Sequence, residues 1–168
     1  MRPMTASPTS AIGPDFNTPV EERYFEDYVP GSSYAFGSIT VTEEEILRFA
    51  GAFDPQSIHT DPEAAEHGPF KGLIASGWHT ASLMMRLYAD HYVSKVASLA
   101  SPGVDELRWT RPVRPGDSLS IRTTVRSARL SRSKPDRGLV HTDIEVFNQR
   151  GETVLTLSAM NFLRCRTT

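Results

Sequence analysis

The chain has one cysteine, no long apolar run and almost no net charge. With Cys165 alone, no intrachain disulfide can form, so the fold must be held by packing, and a reducing compartment suits it. No apolar stretch approaches the roughly 20 residues that cross a bilayer. Residues 1–8 lack the continuous apolar core of a secretory signal, so a cytoplasmic protein without a membrane partner is expected. Charges of 18 Lys+Arg against 20 Asp+Glu leave a formal −2. That balance argues against a nucleic-acid partner, since dedicated binders are strongly basic. P-loop, dinucleotide-binding and Gly-x-Ser-x-Gly motifs are all missing.

What is present is one domain's worth of ordinary globular sequence, 168 residues with 39% hydrophobic and 23% charged positions. The near-zero net charge conceals a split. Residues 1–100 hold 6 Lys/Arg and 13 Asp/Glu, and residues 101–168 hold 12 and 7. Arg122, Arg126, Arg129, Arg132, Lys134 and Arg137 crowd one stretch, as either a solvated face or a site for an anion.

Residues 1–20, rich in Pro, Ser and Thr, read as a flexible tail, and residues 21–168 as the folded domain. A strand is predicted over 34–41. Thr42-Glu43-Glu44-Glu45 forms a capping box, and Ile46, Phe49, Ala50 and Phe53 follow at helical spacing until Asp54-Pro55 ends the helix. After a loop, Asp61-Pro62 restarts a helical turn. A long helix is expected from Ser76-Gly77 to about Ala97. Its buried face runs through Leu73, Gly77, Ala81, Met84, Tyr88 and Tyr92, widened by Met85, Leu87, Val93 and Val96. The remainder reads as strands: 104–110, a turn over 111–117, and a half-buried strand from Leu119 with a bulge near Ser127. Strands 139–147 and 153–163 form a hairpin, the last one central because both its faces are apolar. The order gives an α+β fold, an antiparallel sheet wrapped around one long helix.

Two features could carry chemistry. In Asp54-Pro55-Gln56-Ser57-Ile58-His59, a carboxylate and an imidazole five residues apart share a loop that can aim both at one water. Equally, Asp54 could merely end a helix and His59 merely serve a loop. At Ser76-Gly77, the unpaired N–H groups of a helix start could polarise a carbonyl, with Gly77 allowing close approach. Close helix–sheet packing would explain that glycine as well. His59, Asp61, His67 and His79 match no standard metal spacing, so no metal is expected, and nothing near Cys165 signals an activated thiol.

Taken in order, these segments resemble the MaoC-like dehydratases, relatives of the (R)-specific enoyl-CoA hydratases with the hotdog fold, over about residues 22–165. The matching stretches are Arg23-Tyr24-Phe25-Glu26-Asp27, the Asp54/His59 loop, Leu73-Ile74-Ala75-Ser76-Gly77-Trp78, and the run from Arg108 through Trp109 and Pro115-Gly116 to Asp117. The family loop reads Asp-x-Asn-Pro-x-His. Its Asn is Gln56 here and its Pro is Ser57, a longer amide and a freer backbone that bear on loop geometry and on the acyl pocket.

The resemblance implies reversible syn hydration of trans-2-enoyl-CoA to (R)-3-hydroxyacyl-CoA. Asp54 and His59 would activate water, the Gly77 N–H would hold the thioester oxygen, and Ser76 and Gln56 would line the substrate site. No cofactor is implied, since CoA arrives as part of the substrate. It also implies a homodimer or higher homo-oligomer. Trp78 and His79 stand where they would crowd or line the acyl tunnel, and Arg122 and Arg126 become candidates for the CoA phosphates. Two alternatives remain: a hotdog thioesterase, for which Asp90 is far from the helix start, and a non-catalytic acyl-thioester-binding subunit, suggested by Gln56 and Ser57.

Overall fold

The capping box is where local sequence most directly dictates structure. Thr42 Oγ1 accepts the Glu45 N–H at 3.2 Å, and the Glu45 carboxylate accepts the Thr42 N–H at 3.1 Å. These bonds open α1 (Glu43–Phe53). The structure, a computed structural model, describes residues 18–167, so the tail expected over 1–20 lies outside the described residues except for its last three. A single 3-10 turn, Phe25–Asp27, precedes strand β1 (Ser33–Thr40) and α1. Then come α2 (Ser57–Thr60), α3 (Pro62–His67) and α4 (Gly77–His91), followed by β2 (Ser98–Ala100), β3 (Val104–Trp109), β4 (Ser118–Leu130), β5 (Arg137–Phe147) and β6 (Thr153–Arg164).

The sheet is antiparallel throughout, in the order β1-β4-β5-β6-β2, with β3 also paired to β6. β6 is therefore central, as its two apolar faces predict, and β2 and β3 divide its outer edge. The bulge expected near Ser127 is the register shift between Val125 and Ser127. In β4 the inward side chains Leu119, Ile121, Thr123 and Val125 are buried, while Arg122 and Arg126 point outward.

α4 lies on the inner face of the sheet, against β1 and β4. Leu87 is buried at 4% exposure, a contribution of about 2 kcal/mol. At Gly37 β1 passes so close to α4 that an added Cβ would sit 2.6 Å from Leu87 Cδ2, and its φ of +78° also demands glycine. The polar tips of the buried tyrosines find partners: Tyr88 Oη donates to Asn161 Oδ1 at 2.8 Å, and Tyr92 Oη lies 2.8 Å from Thr142 Oγ1.

Three expectations need correction. α4 stops at His91, not near Ala97. The Arg23 guanidinium, arriving from the N-terminal segment, donates to His91 O at 3.2 Å and Tyr92 O at 2.8 Å. Ser94 Oγ takes the N–H groups of Val96 and Ala97 and donates to Arg23 O, which turns the chain off the helix axis toward β2. Met85, expected on the buried face of α4, is exposed at 47%, and Val96, exposed at 43%, lies beyond the helix end. Leu73, assigned to the helical face, lies in the extended segment before α4.

His79, in the first turn of α4, stacks on Phe49 of α1 with centroids 4.8 Å apart and planes 9° from parallel. Its Nδ1 is buried without a hydrogen-bond partner. Burial holds this imidazole below its ordinary pKa, Glu45 opposing that shift and Arg48 adding to it. The unfolded chain therefore takes up this proton first as pH falls. The contribution to stability is complete above about pH 6.5, the unfolded value, and is lost as pH falls through the lower folded value. A His79→Phe variant keeps the stack and removes the titration. Urea midpoints should show it losing less stability than the parent between about pH 7 and pH 5.5.

Candidate active site

α1 ends at Asp54, whose backbone leaves the helical region (φ −151°, ψ 67°) because Pro55 follows. The turn is closed by the Gln56 N–H donating to Asp54 O at 2.8 Å. α2 starts directly after it and presents His59 back toward the carboxylate. The loop expected between Asp54 and His59 is thus a tight turn and one helical turn, and it brings the two side chains together. His59 Nε2 lies 3.5 Å from Asp54 Oδ2, with side-chain exposures of 7% and 17%.

His59 Nδ1 is 2.8 Å from Ile74 O. A carbonyl only accepts, so Nδ1 carries the proton, and in the neutral ring Nε2 faces Asp54 as a lone pair. The carboxylate is held by two donors. Gln56 Nε2 reaches Oδ1 at 2.7 Å, and Ser76 Oγ reaches Oδ2 at 2.7 Å. These hydrogen bonds, Gln56 first and Ser76 next, keep the Asp54 carboxyl below its ordinary pKa against the opposing effect of burial, and His59 adds a smaller lowering. Asp54 is an anion at neutral pH. Gln56 is brought to the site, and its amide is committed to the carboxylate.

Ser76 is fully buried and caps α4, accepting the Trp78 N–H at 3.2 Å while it donates to Asp54. The Gly77 N–H, in the first turn of α4, has no intrahelical acceptor, and among the described residues no protein group takes it. The missing side chain of Gly77 has a concrete cause. A Cβ there would lie 2.4 Å from Cε2 of Trp109, whose indole covers the glycine and meets Trp78 edge-on at 5.2 Å.

Residues 73–76 support both catalytic candidates, and this segment is itself anchored. Ala75 N donates to Val113 O at 2.8 Å, Ile74 N to Ile58 O at 3.2 Å, and Arg114 Nη2 to Phe70 O at 2.6 Å. The turn 111–117 is fixed in its place by Asp117, whose carboxylate accepts Arg114 N at 2.9 Å and Gln149 Nε2 at 2.8 Å. The supporting contacts of Ile74 O, Val113 O and Trp109 were not read from the sequence, although Ile74 and Trp109 stand in the stretches that carry the resemblance. Two act through backbone carbonyls, which leave no side-chain signature; the Pro115-Gly116-Asp117 turn was the signal available.

Other candidates fall elsewhere. Arg122 and Arg126 are on the outer face of the sheet, opposite α4, and pair across strands with Glu145 at 3.4 Å and Asp143 at 2.6 Å. The structure does not bring them to Asp54 and His59. Asp61 caps α3 and His67 Nδ1 faces Glu63 O, and no group of three or more metal-ligating side chains occurs among the described residues. Asp90 pairs with Arg86 at 2.7 Å on the exposed side of α4. The Cys165 thiol is pushed above its ordinary pKa, by burial first and then by nearby Glu26. No helix among the described residues is long and apolar enough to cross a membrane.

Known proteins resemble this chain in sequence and in fold. The MaoC like domain family model matches residues 27–146, more than half the chain. A MaoC-like dehydratase from Rhodospirillum rubrum, solved by crystallography, is 39% identical with a TM-score of 0.78, over 87% of this chain and 99% of that one. The R-hydratase PhaJ1 of Pseudomonas aeruginosa, in its unliganded form, is 25% identical with a TM-score of 0.69, over 85% and 86% of the two chains. A 3-hydroxyacyl-thioester dehydratase Z of Mycobacterium tuberculosis is 34% identical over 110 residues, 64% of this chain and 73% of that protein. The curled antiparallel sheet on one long helix is the hotdog fold of these proteins, and the chain belongs to the MaoC-like dehydratase family.

Proposed function

We propose that this chain is a hydro-lyase for acyl-CoA thioesters, adding water reversibly to trans-2-enoyl-CoA to give (R)-3-hydroxyacyl-CoA. The observation that carries the reading is the convergence of Asp54 Oδ2 and His59 Nε2, 3.5 Å apart, beside the Gly77 N–H at the start of α4. Likeness to an R-hydratase and to a 3-hydroxyacyl-thioester dehydratase supports it.

The steps follow from the tautomer. Asp54 fixes a water by accepting one of its hydrogens, and His59 Nε2 takes a proton from it as the oxygen bonds to C3 of the enoyl group. Electrons shift through C2 to the thioester oxygen, where the Gly77 N–H and the helix start hold the enolate. The imidazolium, balanced by the Asp54 carboxylate, returns its proton to C2 on the face that received the oxygen. One water is added and no other reactant is consumed.

The departures at Gln56 and Ser57 favour an active enzyme over a silent binding subunit. Gln56 hydrogen-bonds the carboxylate, and Ser57 begins the helical turn that carries His59. A panel of enoyl-CoAs, beginning with crotonyl-CoA, should be hydrated. Asp54→Ala and His59→Ala should each lower kcat by about a thousandfold with little change in thermal stability. Unchanged turnover in both variants would sink the site assignment; thiol release from acyl-CoA in place of hydration would revive the thioesterase.

We also propose a homodimer joined through β3, whose outer edge has no strand beyond it among the described residues and whose Val104 and Trp109 are half exposed. Sedimentation velocity should give a dimer that Val104→Lys weakens. A parent protein that sediments as a monomer at micromolar concentration defeats this proposal.

A further inference from the structure

Gln56 holds an unusual post for a glutamine. It is the N-cap residue of α2, with extended backbone (φ −90°, ψ 142°), yet its side chain makes no capping bond. Its amide folds back and donates to Asp54 Oδ1 at 2.7 Å. The direction of that bond is fixed, because a carboxylate only accepts. The backbone of the same residue ties the turn together. Its N–H donates to Asp54 O at 2.8 Å, and its carbonyl accepts the His59 N–H at 2.9 Å and the Thr60 N–H at 3.1 Å.

We propose that Gln56 is a positioning residue that clamps the Asp54 carboxylate from the side opposite Ser76, so that Oδ2 stays aimed at His59 Nε2. A carboxylate held by Ser76 alone keeps the freedom to rotate about its Cβ–Cγ bond. A second donor on Oδ1 removes that freedom, since the group is then gripped at both oxygens. The choice of glutamine follows from the cap position. Asparagine is among the best N-caps, and its shorter amide would turn inward to the N–H groups of Ile58 or His59. Glutamine is a weak cap and one methylene longer, which leaves its amide outside the helix and within reach of Oδ1. The same bond is the foremost reason that the Asp54 carboxyl lies below its ordinary pKa.

The kinetic consequence rests on the proposed hydration, whereas the effect on the carboxylate does not, and the experiment keeps the two apart. The full-length parent, Gln56→Asn and Gln56→Ala are compared by carbon NMR titration of the Asp54 carboxyl and by pH profiles of crotonyl-CoA hydration. The Asp54 midpoint should rise by about half a pH unit or more in both variants. Gln56→Asn should be at least as stable to heat as the parent, because its amide now caps α2. Turnover should fall about tenfold at unchanged fold, with KM within about twofold. Gln56→Glu supplies a pH signature. The introduced acid donates to Asp54 only when protonated, so its activity relative to the parent should recover as pH falls. An Asp54 midpoint that does not move in Gln56→Asn and Gln56→Ala overturns the positioning role, whatever the activity does. A shifted midpoint in a parent that hydrates no enoyl-CoA leaves the role standing and defeats the hydration reading alone.

Discussion

The hydrogen bond from Ser76 Oγ to Asp54 Oδ2, 2.7 Å long, joins the two halves of the site. Asp54 ends α1 and Ser76 begins α4, and the hydroxyl is drawn into the bond by its second duty as the cap that accepts the Trp78 N–H. A donor so committed has one direction left. Two residues upstream, Ile74 offers its carbonyl to His59. One short extended segment therefore decides the carboxylate's orientation and the imidazole's tautomer together. Its own backbone is pinned by Val113 and Ile58, so an error in the turn 111–117 would reach both side chains at once. The Asp117 carboxylate that staples this turn is buried at 4% exposure.

Much of the site was legible in the sequence because its two principal side chains lie on one local turn. Five residues separate Asp54 from His59, and the Asp-Pro stop forces the chain to bend between them, so pattern alone could place them together. Arg122 and Arg126 were legible too. They alternate with Leu119, Ile121, Thr123 and Val125, and a period of two that buries the latter set puts the arginines on the opposite face of the sheet. Their clustering drew attention to an anion site, whereas strand parity sets Arg122 opposite Glu145, and Arg126, at the bulge, pairs with Asp143.

The unreadable part shares one physical cause, dependence on groups distant in the chain. The end of α4 is set by Arg23, 68 and 69 residues before the carbonyls it binds. Tyr92 and Val93 retain helical apolar spacing, so periodicity ran past the true end. Gly77 invited two explanations from sequence, ligand approach and close packing. The Trp109 indole supplies the packing, and it does so from β3, an element that no local window connects to α4. Packing alone accounts for the missing side chain, and the unpaired Gly77 N–H enters only in the proposed reaction.

A carboxylate gripped by two donors is a weaker base than a free one, since each hydrogen bond favours the anion. Within the proposed reaction this divides the labour. Asp54, held low by Gln56 and Ser76, is better suited to fixing a water and balancing a neighbouring cation than to carrying a proton itself. His59 has the complementary arrangement. Its Nδ1–H is spent on Ile74, its Nε2 is the open basic position, and the imidazolium formed there meets a charge 3.5 Å away. The proton then travels from water to Nε2 to C2 without neutralising the carboxylate that stabilises it. The Ile74 carbonyl strengthens the same choice, because it accepts the Nδ1 hydrogen in both protonation states and lets the ring cycle its proton at Nε2 without turning over.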